Sequence, residues 1–164
     1  MATLIELVSS GALVKLDADL AHDEQEWRCI YLLPNVKKWL EKELPSLVSS
    51  WNIAESPREQ VGVLFWEFCS GERLIHSIQF KSLNHLGDGI WELKTADIRI
   101  FGWFQQKDHF IAADIDLAQR VKEHDLYKGY SVQAKRRRDQ LNLDEPKCVV
   151  GDNPYDVISD FDTA

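Results

Sequence analysis

Apolar positions change their spacing several times along the chain, and each change marks an element. Trp27 to Pro34, WRCIYLLP, concentrates β-branched and aromatic side chains and stops at a proline, which predicts a first strand. From Asn35 onward Val36, Trp39, Leu40, Leu44, Leu47, Val48 and Trp51 recur at three- and four-residue steps, the spacing of one helical face. Pro45 interrupts this stripe, so a kink or break is expected there. Ser56, Pro57 and Glu59 then supply an N-cap, a first-position proline and a capping-box glutamate ahead of Val61, Leu64, Phe65 and Phe68. Gly71 marks the end of that helix. The two helices are expected to form a hairpin whose apolar stripes cover a sheet.

After the linker KSLNHLGDG the period falls to two. Ile98, Ile100, Gly102 and Phe104 fall on one side of a strand, and Arg99, Phe101 and Trp103 on the other. Turn-forming residues around Ala96 and Asp97, and then QQKD, separate this strand from GIWELK before it and HFIAADI after it, predicting a three-stranded antiparallel meander. DLAQRVKEHDLY and YSVQAKRRRDQLNL read as helical and divided by Gly129, and the tail GDNPYDVISDFDTA reads as loosely held. The order β-αα-βββ-α places the chain in the α+β class, a helix hairpin packed on a small antiparallel sheet. The expected domain covers residues 27–143, between an acidic N-terminal extension (1–26) and an acidic C-terminal tail (144–164).

Composition narrows the class. The chain has 164 residues, 45% hydrophobic and 28% charged, which suits one compact domain. No run approaches the ~18 apolar residues of a membrane span, and the N-terminus lacks a basic region before an apolar core. A cytoplasmic protein with no membrane contact is therefore expected. Cys29, Cys69 and Cys148 have no metal-ligand spacing and read as reduced thiols. The net charge is -8, unevenly spread. Residues 1–26 and 144–164 each carry one Lys against six acidic residues, whereas Arg120 to Arg138 holds seven basic residues against Glu123 and Asp125. This asymmetry points to an anionic partner for one part of the chain.

The helix pair, the run HLGDGIWELKTADIRIFGWF, a third strand and a last helix with Ala134 near its middle resemble the RelE/HigB toxin superfamily, in particular its phage-derived HigB-like branch. The resemblance covers about residues 27–143 and is most distinctive over 85–104. It implies a RelE-like fold and a metal-independent, cofactor-free endoribonuclease of the mRNA interferase type. It also implies action on RNA, often messenger RNA on the ribosome, and restraint by a separate antitoxin protein. Arg99 occupies the family's second-strand arginine, Glu92 and Lys94 the Glu and basic residue of the first strand, and Ala134 the terminal-helix alanine.

Cleaving RNA without a metal requires activating the ribose 2′-hydroxyl, stabilising the phosphorane and protonating the leaving oxygen. Arg99, a permanent cation with planar donors, suits the phosphorane. Glu92 suits the base or the orientation of Lys94, and His85 or His109 suits proton exchange near neutral pH. Lys94 and Lys81 suit the flanking phosphates. Arg120, Lys122, Lys128, Lys135, Arg136, Arg137 and Arg138 suit backbone contact, while Trp103, Phe101, Tyr127 and Tyr130 suit base stacking. The bland alternatives are an Arg99 that only pairs with Glu92 or Asp97, aromatics that only fill a core, and a KRRR run that only solvates a helix. A Lys-Lys pair common after the third strand in that family is absent from AADIDLAQRVKEHDLYKGY. Its absence favours a second reading, a non-catalytic module binding RNA, the ribosome or a protein. A phage-derived regulatory or structural protein is the third. The acidic tail is also a candidate screen for the basic surface.

Overall fold

The computed structural model describes residues 1–83 and 88–164. The chain is α+β: among the described residues five α-helices, α1 (Leu4–Ser10), α2 (Pro34–Lys42), α3 (Pro57–Ser70), α4 (Ala118–Glu123) and α5 (Tyr127–Gln140), pack on one mixed sheet. Its strands are β1 (Val14–Lys15), β2 (Cys29–Leu32), β3 (Leu74–His76), β4 (Phe80–Ser82), β5 (Trp91–Lys94), β6 (Ile98–Gln106), β7 (His109–Leu117) and β8 (Phe161–Thr163). Their order is β1-β2-β7-β6-β5-β4-β3-β8. The antiparallel meander β5–β6–β7 forms its middle as expected, with β2 parallel to β7. The sheet is larger and more mixed than the small antiparallel one the pattern suggested.

Local chemistry explains the helices. At α3, Ser56 Oγ accepts from Glu59 N at 3.2 Å, Glu59 returns a bond to Ser56 N at 3.3 Å, and Pro57 sits at the first position. Gly71 closes it at φ 84, and a Cβ there would meet Trp27 within 3 Å. The stripe from Val36 to Trp51 is cut where Pro45 foretold: α2 ends at Lys42, and Leu44–Ser46 forms a single 3-10 turn. Val48 and Trp51 are consequently off any helix and exposed. The last helical region divides at His124–Leu126, with Asp125 at φ 48, rather than at Gly129, which lies inside α5.

Both sheet faces are covered. On one, α2 and α3 bring Val36, Val61, Leu64 and Phe68 onto Trp91, Leu93, Ile100, Phe104 and Phe110. On the other, α1, α4 and α5 bring Leu7, Val121 and Ala134 onto Phe101, Trp103, Ile111 and Ala113. The alternation along β6 thus separates two cores rather than core from water.

At Gly102 the register of β6 on β7 shifts, so that Phe101 faces Asp114 while Gly102 faces Ala112. The backbones approach so closely that a Cβ on Gly102 would lie 1.9 Å from Ile111 O. The bulge turns Asp114 and Asp116 toward α5.

The terminal segments join the same sheet. β1 borders β2, while β8 pairs in parallel with β3, and the C-terminal segment buries Val157 and Ile158 ahead of it and Phe161 within it. Asp160 and Asp162 pair with Arg73 at 3.1 and 3.0 Å, and Arg28 donates to Asp160 O at 2.9 Å. The tail expected to be loose is a docked strand, and these two carboxylates meet Arg73 rather than the basic residues of α5.

Candidate functional site

Register brings the charged residues of four strands into two rows on the face under α4 and α5. Lys81, Glu92, Phe101 and Asp114 stand opposite one another across β4, β5, β6 and β7, and the next row is Lys94, Arg99 and Asp116. Period-two alternation puts Glu92 and Lys94 on one face, and antiparallel pairing sets Arg99 beside Lys94.

Glu92 is the unusual member. It is 2% exposed, and its Oε2 lies 3.8 Å from Arg99 Nε, yet among the described residues neither atom has a hydrogen-bond partner. Orphaned buried charges of this kind call for an explanation beyond stability. Burial pushes the Glu92 carboxyl up, against the opposing pull of Arg99, Lys94, Lys81 and Lys122. Burial also pushes Lys94 down from the ordinary lysine value, with Glu92 acting against it. A carboxylate and an amine displaced toward one another suit proton exchange. Glu92 and Lys94 line a recess of about 530 Å³ with Lys81, Lys128, Tyr127 and Asp125. Cations thus surround the carboxylate and edge the recess.

Arg99 is held rather than free. It is 4% exposed, and its Nη1 donates to Thr95 O and, at 3.0 Å, to Ile98 O. The β5–β6 turn supplying these carbonyls is itself clamped. Buried Asp97 accepts from Ser50 N at 2.8 Å and Gln60 Nε2 at 2.6 Å, and its own N–H donates to Gln60 Oε1 at 3.0 Å. Arg99 thus has Glu92 as an anionic neighbour and backbone carbonyls as its hydrogen-bond acceptors.

The other expected site residues divide. Lys81, Lys94 and Lys128 gather at the recess, and Lys122 stands over Trp51, its Nζ 5.5 Å from the ring. Arg120 pairs with Asp116 at 3.0 Å and Arg137 with Asp114 at 3.2 Å, so both offset neighbouring carboxylates. Arg138 is buried and donates to Asp88 O at 2.6 Å. Lys135 and Arg136 are exposed, Lys135 lying 3.7 Å from Asp88. The KRRR run therefore splits between solvent and structure.

Three expectations are corrected. Trp103 is fully buried with its Nε1 on Lys147 O at 3.1 Å, so its ring is not a platform for a base. Phe101 is fully buried and stacks on Tyr130 at 4.7 Å, so its own ring offers no face to a base. His109 pairs with Gln106 at the far end of β6, roughly 23 Å along the strand from Arg99. His85 lies outside the described residues.

Asp114 and Asp116 were not singled out by the sequence. Asp116 accepts from Tyr130 Oη at 2.5 Å and Arg120 Nε at 3.0 Å, and Asp114 accepts from Gln133 Nε2 at 2.9 Å and Arg137 Nε. Burial raises Asp114, and burial together with the Asp116 bond raises Tyr130. The i, i+2 carboxylates of "ADID" were the available signal, but the bulge that turns them to α5 is invisible in the alternation.

Among the described residues no group of three or more His, Cys, Asp or Glu side chains is placed to hold a metal ion, and no helix is long and apolar enough to cross a membrane. Compared with protein-family models, curated proteins and solved structures, the chain matches none.

Proposed function

We propose that the protein is an RNA-cleaving endoribonuclease of the RelE/HigB type, acting at the recess beside Lys94. The observation that carries this reading is Glu92: a buried carboxyl with a raised pKa, unbonded at Oε2, beside Arg99 and among lysines that favour an anionic ligand. The β5–β6–β7 meander preceded by α2 and α3 supports this reading, while β3, β4 and the mixed eight-stranded sheet depart from the small antiparallel sheet that the resemblance implies. A polyanionic strand enters over Lys81, Lys94 and Lys128. Glu92 takes the ribose 2′-hydroxyl proton, the 2′-oxygen bonds to phosphorus, and the P–O5′ bond breaks as Lys94 protonates the leaving oxygen. The products are a 2′,3′-cyclic phosphate and a free 5′-hydroxyl. Arg99 contributes its fixed charge to the phosphorane through a small displacement from Glu92. A ribosomal setting and an antitoxin partner belong to the same proposal.

The commitment of Arg99 to Thr95, Ile98 and Glu92 favours a second reading, a non-catalytic module that binds RNA or a protein through the same lysines. Incubating end-labelled RNA with the wild-type protein in the presence of a chelator separates the two. Fragments ending in 2′,3′-cyclic phosphate are the expected result. RNA retained but uncut selects the binding module, and RNA neither bound nor cut removes both.

A further inference from the structure

A second hollow of about 810 Å³ shares Lys94 as a wall with the Glu92 recess. Trp51, Ile53, Val63 and Ile78 line it, and each of these large apolar side chains is 37–56% exposed. Arg99, Lys94 and Thr95 form its wall on the sheet, and Lys122 completes the lining over the indole of Trp51. Uncovered apolar surface gathered in one concavity marks a binding surface.

The Trp51 ring is fixed before any ligand arrives. Its Nε1 donates to Ala96 O at 2.8 Å, and the preceding residue, Ser50, donates its N–H to buried Asp97. A flat ring held in place, with cations beside it, provides the two contacts that single-stranded RNA offers in alternation: a base face and a phosphate. Two carboxylates also line the groove. Glu67 accepts from Gln79 Nε2 at 2.5 Å, and Glu55 is exposed. Both repel a phosphate, so they favour an uncharged base within the groove and phosphates along Lys94.

We propose that this groove is a base-binding subsite in which Trp51 stacks an unpaired base of the RNA strand whose backbone crosses Lys94 into the Glu92 recess. It presupposes the RNA-binding reading of that recess, and the shared Lys94 wall is what joins the two hollows into one track. A partner protein covering the same four apolar side chains is the rival occupant. The cations at Lys94 and Lys122 favour the polyanion.

The test is fluorescence anisotropy at low salt with a labelled single-stranded RNA of about ten nucleotides, its riboses 2′-O-methylated so that it binds without being cut. Trp51→Ala is expected to weaken binding roughly five- to a hundredfold, with Trp51→Phe keeping most of the affinity. An RNA series carrying one abasic position at each place in turn is expected to contain a member that wild type and Trp51→Ala bind equally. Ile53→Ala and Val63→Ala, which leave the Trp51–Ala96 bond untouched, are expected to give smaller losses in the same direction. Wild-type affinity in Trp51→Ala, Ile53→Ala and Val63→Ala would overturn the subsite while leaving the Glu92 recess standing. Wild-type protein that binds no RNA would remove both. Self-association of the wild type that Trp51→Ala abolishes, with RNA binding unchanged, would assign the groove to a protein contact and overturn the subsite.

Discussion

On the sheet face covered by α2 and α3, Phe104 meets Phe68, Trp91 and Phe110 at ring separations of 6.5, 5.8 and 5.0 Å. On the face covered by α4 and α5, the same strands present Glu92, Lys94, Arg99, Asp114 and Asp116. The first face gains from burial without needing partners; the second spends hydrogen bonds and ion pairs to keep charges near one end of β5–β7. On that face, among the described residues, Glu92 Oε2 and Arg99 Nε lie 3.8 Å apart and neither has a hydrogen-bond partner. Both faces carry a hydrophobic core, but buried charges are concentrated on the one covered by α4 and α5.

The contrast can be broken in a graded way. Phe68→Ala, in the apolar core, is expected to cost about 3–5 kcal/mol in urea unfolding, with RNA affinity of the remaining folded protein unchanged. On the charged face, Arg99→Ala is expected to cost about 3–5 kcal/mol because Glu92 is left buried and uncompensated. Adding Glu92→Gln to Arg99→Ala should recover part of that loss; equal stabilities for the single and double variants would show that the pair is not coupled. Asp97→Asn, which weakens the clamp on the β5–β6 turn, is expected to cost about 1–3 kcal/mol and to lower activity through Arg99 rather than through binding.

The pH dependence carries a definite sign. Glu92 is raised above its ordinary 4.5, so the folded state holds its proton at higher pH than the unfolded chain. Its contribution to stability is full below 4.5 and is lost as pH rises through the folded value. Glu92→Gln should flatten the fall in Tm across that window, and an unchanged profile would remove the assigned shift. At the surface, Lys128→Ala should weaken RNA binding at every sequence and reduce the salt slope by about one, with little change in stability. The smallest effect expected is Gly129→Ala. The position is helical, exposed and clear of neighbours, so a gain of about 0.5–1 kcal/mol should appear in urea unfolding.

Local signals proved legible in the sequence. The capping box at Ser56, the break near Pro45 and the three strands of the meander all rest on a few adjacent residues, and the structure has each of them. Features that need distant chain were not legible. The docking of β8 depends on Leu74 and Arg73, far away in sequence, and the division of α4 from α5 falls at Asp125 although Gly129 is the better breaker. Within the site, Glu92, Lys94 and Arg99 were singled out through the resemblance to the RelE/HigB superfamily, and antiparallel pairing of β5 with β6 is what brings them together. Asp114 and Asp116 were hidden by the bulge at Gly102, and Trp51 was assigned to a helical stripe that ends before reaching it.

The central claim is that Glu92 does chemistry in the recess. Its direct test compares RNA cleavage by wild type and Glu92→Gln, a change that removes the charge and keeps the shape. Cleavage by the wild type and a loss of about 10²- to 10⁴-fold in Glu92→Gln are expected, with native circular dichroism and RNA affinity retained. Cleavage at the wild-type rate in Glu92→Gln, or none by the wild type, would contradict that claim.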